Sequence, residues 1–248
     1  MTVSTSNAPH PVVDRAAWLE TRRALLQQEK AFMQQKDALN AERLRLPWVR
    51  LEKDYLFDSP EGPRRLSELF AGRSQLYLYH FMFGPEWEQG CVGCSFMADH
   101  FDGALPHLNY HDVTLVAVSR APLDKIQAFK RRMGWHFPWV SSASSDFNFD
   151  FQASFTPEQL ASGKAFYNFE EREVDCEELP GSSAFYRDAD GTVYHTYSSY
   201  SRGGETVMST YGILDMMPLG RNEEGDLSTW VRHHDRYEAA PTPCGCGH

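Results

Sequence analysis

Apolar residues recur at two different periods along this chain, and the changes of period mark its elements. From Pro11 to Asn40 the sequence is polar and rich in helix formers, with Trp18, Leu25, Phe32 and Leu39 seven residues apart and Leu19, Leu26 and Met33 beside them. This predicts a helix with one narrow apolar stripe. The second apolar position of a heptad seam is missing, so the stripe is expected to dock on the chain's own domain or on a second copy rather than build a long coiled coil. After Pro47, Val49 and Leu51 alternate with charged residues, Asp58-Ser59-Pro60-Glu61-Gly62 supplies turn chemistry, and Leu66 to Phe70 forms a short helical turn, which together predict an opening β-hairpin.

Gln75 to Phe83 (QLYLYHFMF) is nearly continuous in apolar and aromatic residues, the pattern of a strand buried on both faces, and Gly84-Pro85 ends it. A helix follows with Met97, Phe101, Ala104, Leu105 and Leu108 on one face, bent or shortened by Pro106. Thr114 to Ser119 reads as a second buried strand. Pro122 opens a helix carrying Leu123, Ile126, Phe129 and Met133, Gly134 stops it, and Phe137 to Ser141 is a third strand. Strand, helix, strand, helix, strand implies parallel strands with right-handed crossovers, hence an α/β layered sheet.

Residues 142–180 interrupt this rhythm with a Ser-, Asp- and Phe-rich stretch, a short helix capped by Thr156 with Gln159 three residues on, and an acidic segment around Glu170 to Glu178. They are expected to be an insertion. Asp188-Ala189-Asp190-Gly191 then joins two strands of a hairpin, and Gly204 to Asp215 is expected to form the last core helix. The domain plan is a helical extension at 1–45, one domain at 46–237 that contains the 142–180 insertion, and a Cys-containing tail at 238–248.

The formal net charge of −10 argues against nucleic acid, because phosphate-backbone binding requires clustered positive charge. No run approaches the roughly 18 apolar residues of a membrane span, and the start lacks a basic segment followed by an apolar stretch, so a cytoplasmic protein is expected. Five cysteines, at 91, 94, 176, 244 and 246, do not make a structural disulfide framework. In a reducing compartment a close pair points to chemistry or metal.

The pair that carries chemistry is Cys91-Val92-Gly93-Cys94. It follows an apolar strand, a Gly-Pro turn and Trp87, and it opens an amphipathic helix. Free backbone N–H groups and the partial positive charge of a helix N-terminus favour a thiolate there, so Cys91 is expected to attack and Cys94, one turn on, to resolve the mixed disulfide. Glu86 and Glu88 oppose this, predicting a pKa only modestly below the free value of about 8.5. The CxxC spacing also occurs in zinc sites. A set of Cys91, Cys94, Cys244, Cys246 and His248 is therefore the metal-binding alternative.

Leu51 to Phe70, YHFMFGPEWEQGCVGCSFMADHFDG, TLVAVSRAPLDKIQAFKRRMGWHFPWVSS and GTVYHTYSSYSRG together resemble a bacterial thioredoxin-like family that carries a domain-of-unknown-function label and is described as predicted dithiol-disulfide oxidoreductases. The resemblance covers nearly all of residues 12–237. It implies a thioredoxin-like three-layer sandwich with a central mixed sheet, related to the peroxiredoxin-like branch, with Cys91 as nucleophile, Cys94 as resolving residue and Trp87 near the dithiol. Many thioredoxin-like proteins place a cis-proline opposite the dithiol; here that count falls on Ser182, with Pro180 two residues earlier. A peroxidatic cysteine needs a proline seven residues and a Thr or Ser three residues before it. Cys91 has Gly84 and Glu88 at those positions, and Cys94 has Trp87 and Cys91, so a typical peroxiredoxin is not expected.

His80 on the central strand reads as structural, and His195 as a site-lining candidate should its strand border the dithiol. Arg120, Arg202 and Tyr197 to Tyr200 follow strand ends, where α/β sites gather. Cys176, between Asp175 and Glu177, is expected to be inert. The expected function is thiol-disulfide exchange without a cofactor, since no Gly-rich dinucleotide turn is present. Its partners would be a disulfide-containing protein or small molecule and a thiol electron donor, with a homodimer possible through the apolar stripe. The alternative is a metal- or partner-binding protein on the same fold, without turnover.

Overall fold

The computed structural model describes residues 10–223, 225 and 227–237. The chain divides into two compact units, Met1–Pro47 and Trp48–His248. Among the described residues the first holds one helix, α1 (Arg15–Arg43), which starts where Asp14 Oδ1 accepts the Ala17 N–H at 2.8 Å and ends with Arg43 in its last turn, where a cation suits the helix dipole. The predicted helix forms, but no residue of α1 is buried, and Trp18, Leu25, Phe32 and Leu39 are all exposed.

The second unit is built on a six-stranded mixed sheet. In chain order its strands are β1 (Val49–Arg50), β4 (Gln75–His80), β5 (Val113–Ser119), β6 (Trp139–Ser141), β9 (Gly181–Arg187) and β10 (Val193–Tyr200). Two small hairpins supply β2 (Leu56–Phe57) with β3 (Arg64–Arg65), and β7 (Lys164–Tyr167) with β8 (Glu170–Glu173). The sheet order is β1-β10-β9-β4-β5-β6, with β4, β5 and β6 parallel and β9 and β10 antiparallel. The helices are α2 (Val92–Ala98), α3 (Leu105–Tyr110), α4 (Leu123–Arg132), α5 (Phe147–Asp150), α6 (Pro157–Ser162), α7 (Ser209–Leu214) and α8 (Leu227–Trp230).

Alternation along the central strands separates two cores. Tyr79 of β4 and Leu115 and Ala117 of β5 face one side, where they meet Met97 and Ala98 of α2 and Ile126 and Phe129 of α4. Leu76 and Leu78 of β4 and Val116 and Val118 of β5 face the other, against Phe57, Leu66, Phe70, Phe147 and Phe151. The sheet therefore lies between two apolar layers in a three-layer α/β sandwich with a central mixed sheet, and the dithiol helix belongs to the first layer.

Three sequence expectations change in detail. Val49 and Arg50 pair with His195 and Tyr194 instead of with the next strand, and the opening hairpin is Leu56–Phe57 with Arg64–Arg65. The acidic stretch of 142–180 contains an exposed strand, Glu170–Glu173, whose ladder to Lys164–Tyr167 lets its charged side chains stay in water. Gly204 to Asp215 is not one helix. Ser201 adopts φ 50°, the segment Ser201–Val207 is a 3-10 turn containing Gly203 and Gly204, and only Ser209–Leu214 is α-helical. Paired glycines weaken the continuous helix that periodicity suggests.

Candidate functional site

Cys91 is the N-cap residue of α2, with non-helical backbone angles of φ −54° and ψ 136°. Its N–H donates to the Met82 carbonyl at 3.0 Å, and its carbonyl accepts from the Ser95 N–H at 2.9 Å and the Ser95 hydroxyl at 2.8 Å. The first ties the cysteine loop to the strand before it, and the other two start the helix. Gly90 is required next to it, since a Cβ there would lie 2.6 Å from the Phe81 ring.

The two sulfurs occupy different environments. Cys91 is half-buried, Cys94 is only 2% exposed, and neither is in a disulfide. The Cys94 thiol donates to Cys91, and the backbone N–H groups of Cys94 and Gly93 add to it, bringing the Cys91 pKa down to about 7 against the opposing effect of burial. Burial pushes the Cys94 thiol well up, and the negative charge on Cys91 adds to that. Two donors nevertheless point at the Cys94 sulfur: the Met82 N–H at 3.4 Å and the Tyr79 hydroxyl. Tyr79 is itself buried, which raises its pKa and keeps it a phenol that can only donate to a thiolate. Glu86 and Glu88 are not among the influences on Cys91, whose main partner is the second cysteine, with the N–H groups of the helix terminus behind it.

Both cysteines open onto a cavity of about 290 Å³. Ser182, in register with Tyr79 across the β4–β9 pair, lines it, together with Pro180 and Gly181. No peptide bond among the described residues is cis. Ser182 is buried, and its hydroxyl shares a 2.7 Å hydrogen bond with the Tyr77 hydroxyl. Arg202 and Ser199 of the strand-end segment also line the cavity.

Two expected site residues do not reach the cavity. Trp87 packs beside the first core and donates its indole N–H to Glu177 at 2.8 Å, away from the cavity lining. Glu177 also takes Arg120, whose guanidinium bonds the buried Glu178 at 2.5 Å. His195 shares a 2.7 Å hydrogen bond with Ser198 and packs on Phe151 and Phe185, residues of the opposite core. Strand alternation is the reason, since β10 turns that side chain to the face away from α2. His80 joins the same hidden network through Ser183 at 2.9 Å, and burial lowers its pKa to about 3.

Sequence reasoning missed Tyr79, whose signal lay in the period of two: Tyr77, Tyr79 and Phe81 share the face that the following helix must cover. It also missed His233. This buried residue donates its Nε2–H to the Gly90 carbonyl at 2.9 Å while Nδ1 takes the Arg132 guanidinium at 3.2 Å, and Arg132 in turn holds Asp235 with two bonds of 2.8 Å. A segment 143 residues away thereby fixes the loop in front of Cys91. Leu227 of α8 adds a second contact, because a Cβ on Gly93 would lie 2.5 Å from its Cδ2.

Of the metal-binding alternative, Cys244, Cys246 and His248 lie outside the described residues. Among the described residues no group of three or more His, Cys, Asp or Glu side chains could hold a metal ion, and no helix is long and apolar enough to cross a membrane.

A family model described as "Bacterial protein of unknown function (DUF899)" matches residues 7–237. No curated protein matches the chain. Among solved structures, peroxidoxin BcpB from Mycobacterium tuberculosis is similar at 18% identity, over 66% of this chain and 95% of that one, with a TM-score of 0.40. A cysteine-to-serine mutant of peroxiredoxin Q from Xanthomonas campestris is 13% identical over 64% of this chain and 90% of that one, with a TM-score of 0.43. A Chlorobium tepidum protein assigned as a thiol:disulfide interchange protein, DsbE, is 12% identical over 66% and 94%, with a TM-score of 0.39.

Proposed function

The chain belongs to the bacterial family of unknown function DUF899, a membership that names no reaction, and we propose that it is a dithiol-disulfide oxidoreductase of a reducing, cytoplasmic compartment. The observation that carries this reading is the asymmetry of the two sulfurs: Cys91 at the open end of α2 with its pKa held near 7, Cys94 one turn deeper with its pKa raised. When the pair loses its first proton, at about pH 7, the resulting thiolate is the outer sulfur.

Attack by the Cys91 thiolate on a substrate R–S–S–R′ forms the Cys91–S–S–R bond and breaks the substrate S–S bond, releasing R′–S⁻. Cys94 loses its anionic hydrogen-bond acceptor at that moment, and its proton passes to the departing thiolate. The Met82 N–H and the Tyr79 hydroxyl then face a developing Cys94 thiolate, to which they donate. Cys94 attacks the Cys91 sulfur, forms the intramolecular disulfide and releases R–S⁻. The substrate disulfide gains two electrons and the protein dithiol loses two. A thiol donor returns them, and no cofactor enters the cycle.

Intact mass before and after a mild oxidant tests the reading, with an expected loss of two hydrogens localised to Cys91 and Cys94. Cys94→Ser should accumulate mixed disulfides through Cys91, and Cys91→Ser should abolish both trapping and turnover. A Cys91→Ser protein that still reduces a model disulfide would refute the assigned roles.

A further inference from the structure

We infer that the substrate is a small, uncharged, apolar disulfide that enters the cavity, and not a peptide-borne disulfide or a charged one such as oxidised glutathione; this rests on the dithiol reading above. The cavity's volume of about 290 Å³ falls just short of the roughly 300–1,000 Å³ range of small-molecule sites. Most of its lining surface is apolar, with Tyr79, Met82, Phe96, Met97, Met208 and Tyr211 among the residues that form it and a few serines beside them. Polarizable thioethers and aromatic faces suit sulfur and hydrocarbon, and they provide little for a carboxylate or ammonium group.

The two charged side chains at the cavity are already matched. Arg202 Nε meets Glu205 at 2.6 Å, and Glu205 also takes Arg221 at 3.1 Å, so Arg202 faces a carboxylate of the protein rather than waiting for one from a ligand. Arg202 keeps most of its side chain in water, so competing for it gains a charged disulfide little, while charges carried into the apolar part of the cavity would lose their hydration. A protein disulfide meets a different obstacle. It carries two backbones whose Cα atoms stand about 4.4–6.8 Å apart, and their N–H and C=O groups would find few partners on an apolar wall. Leu227, seated on Gly93 at the start of the dithiol helix, further narrows the approach to Cys91.

The test uses the full-length reduced protein and measures second-order rate constants for dibutyl disulfide, bis(2-hydroxyethyl) disulfide, oxidised glutathione and insulin. Each is divided by the rate of the same disulfide with free dithiothreitol, which removes intrinsic reactivity. Dibutyl disulfide should exceed the other three at least tenfold on this scale. Met208→Trp, which fills the cavity, and Met208→Lys, which charges its wall, should both erase that advantage while circular dichroism and the urea midpoint show each variant still folded. Equal normalised rates, or a lead for glutathione or insulin, would overturn the substrate assignment while leaving the dithiol chemistry standing. Failure of every disulfide to produce the Cys91–Cys94 bond would overturn both.

Discussion

Replacing Cys94 by Ala should move the ionisation of Cys91 upward, and replacing it by Ser should move it less. The Cys94 thiol is the largest influence holding Cys91 near pH 7, with the backbone N–H groups of Cys94 and Gly93 behind it. At a pKa of about 7, half of Cys91 is thiolate at pH 7, against about 3% for a free thiol of pKa about 8.5. The gain in thiolate is thus about 16-fold. Intrinsic nucleophilicity falls with pKa at a Brønsted slope of about 0.4–0.5, which returns a factor of about 4–6, so the net rate advantage at pH 7 is only about threefold. The rate at one pH is therefore a poor readout and the inflection of the pH profile a good one. Alkylation by iodoacetamide, followed from about pH 5 to 10, should inflect near 7 in the native protein. With Ala the inflection should rise by about one pH unit or more, the backbone donors remaining, and with Ser it should fall between, because a hydroxyl still donates. A native inflection at about 8.5, or Ala and Ser variants that share the native value, would refute the claim that the second cysteine activates the first.

Tyr79→Phe removes a donor to Cys94 and none to Cys91, so it should slow release of the mixed disulfide by about 10- to 150-fold, the range of a hydrogen bond to an anion, and leave Cys91 alkylation unchanged; single-turnover kinetics separate the two steps. His233→Phe keeps the buried volume but abandons the Gly90 carbonyl, and should destabilise the fold by about 1–3 kcal/mol in urea titration while broadening the alkylation profile of Cys91. Burial raises the Glu178 pKa from the ordinary carboxyl range to about 7, so folding favours its protonated form: its contribution is complete below about pH 4.5 and is lost as pH rises toward 7. Urea midpoints of the native protein should fall across that window relative to Glu178→Gln, and parallel curves would count against a strained carboxylate.

Local chemistry made parts of this molecule legible. The apolar runs of β4 and β5 are buried on both faces, the Thr156–Gln159 capping box starts α6, and the helix from Leu123 stops before Gly134. Cys91 and Cys94 could be placed at a helix start because strand, Gly-Pro turn and amphipathic run are neighbours in sequence. Ser182 was placed by counting from Phe185 within one strand, and it does line the cavity. What escaped depends on distant pairing. Trp87 is taken by Glu177, 90 residues away, and His195 is turned aside by the alternation of a strand whose facing layer no local pattern names. His233 and Leu227 lie in a segment with no periodicity, and only tertiary contact gives them a role. Tyr79 was hidden by abundance, being one aromatic residue among several in a nearly continuous apolar run.

The bond between His233 and the Gly90 carbonyl also has a consequence for the life of the chain before it is folded. At roughly 5–20 residues per second, a ribosome needs about 7–30 seconds to extend the 143 residues that separate the two partners. During that interval Cys91 and Cys94 have been made, the strands on one side of them can pair, and the clasp that sets their loop does not yet exist. A nascent chain thus carries a nucleophilic thiol without its mature geometry, and chance oxidation in that window would precede the arrangement that distinguishes one sulfur from the other.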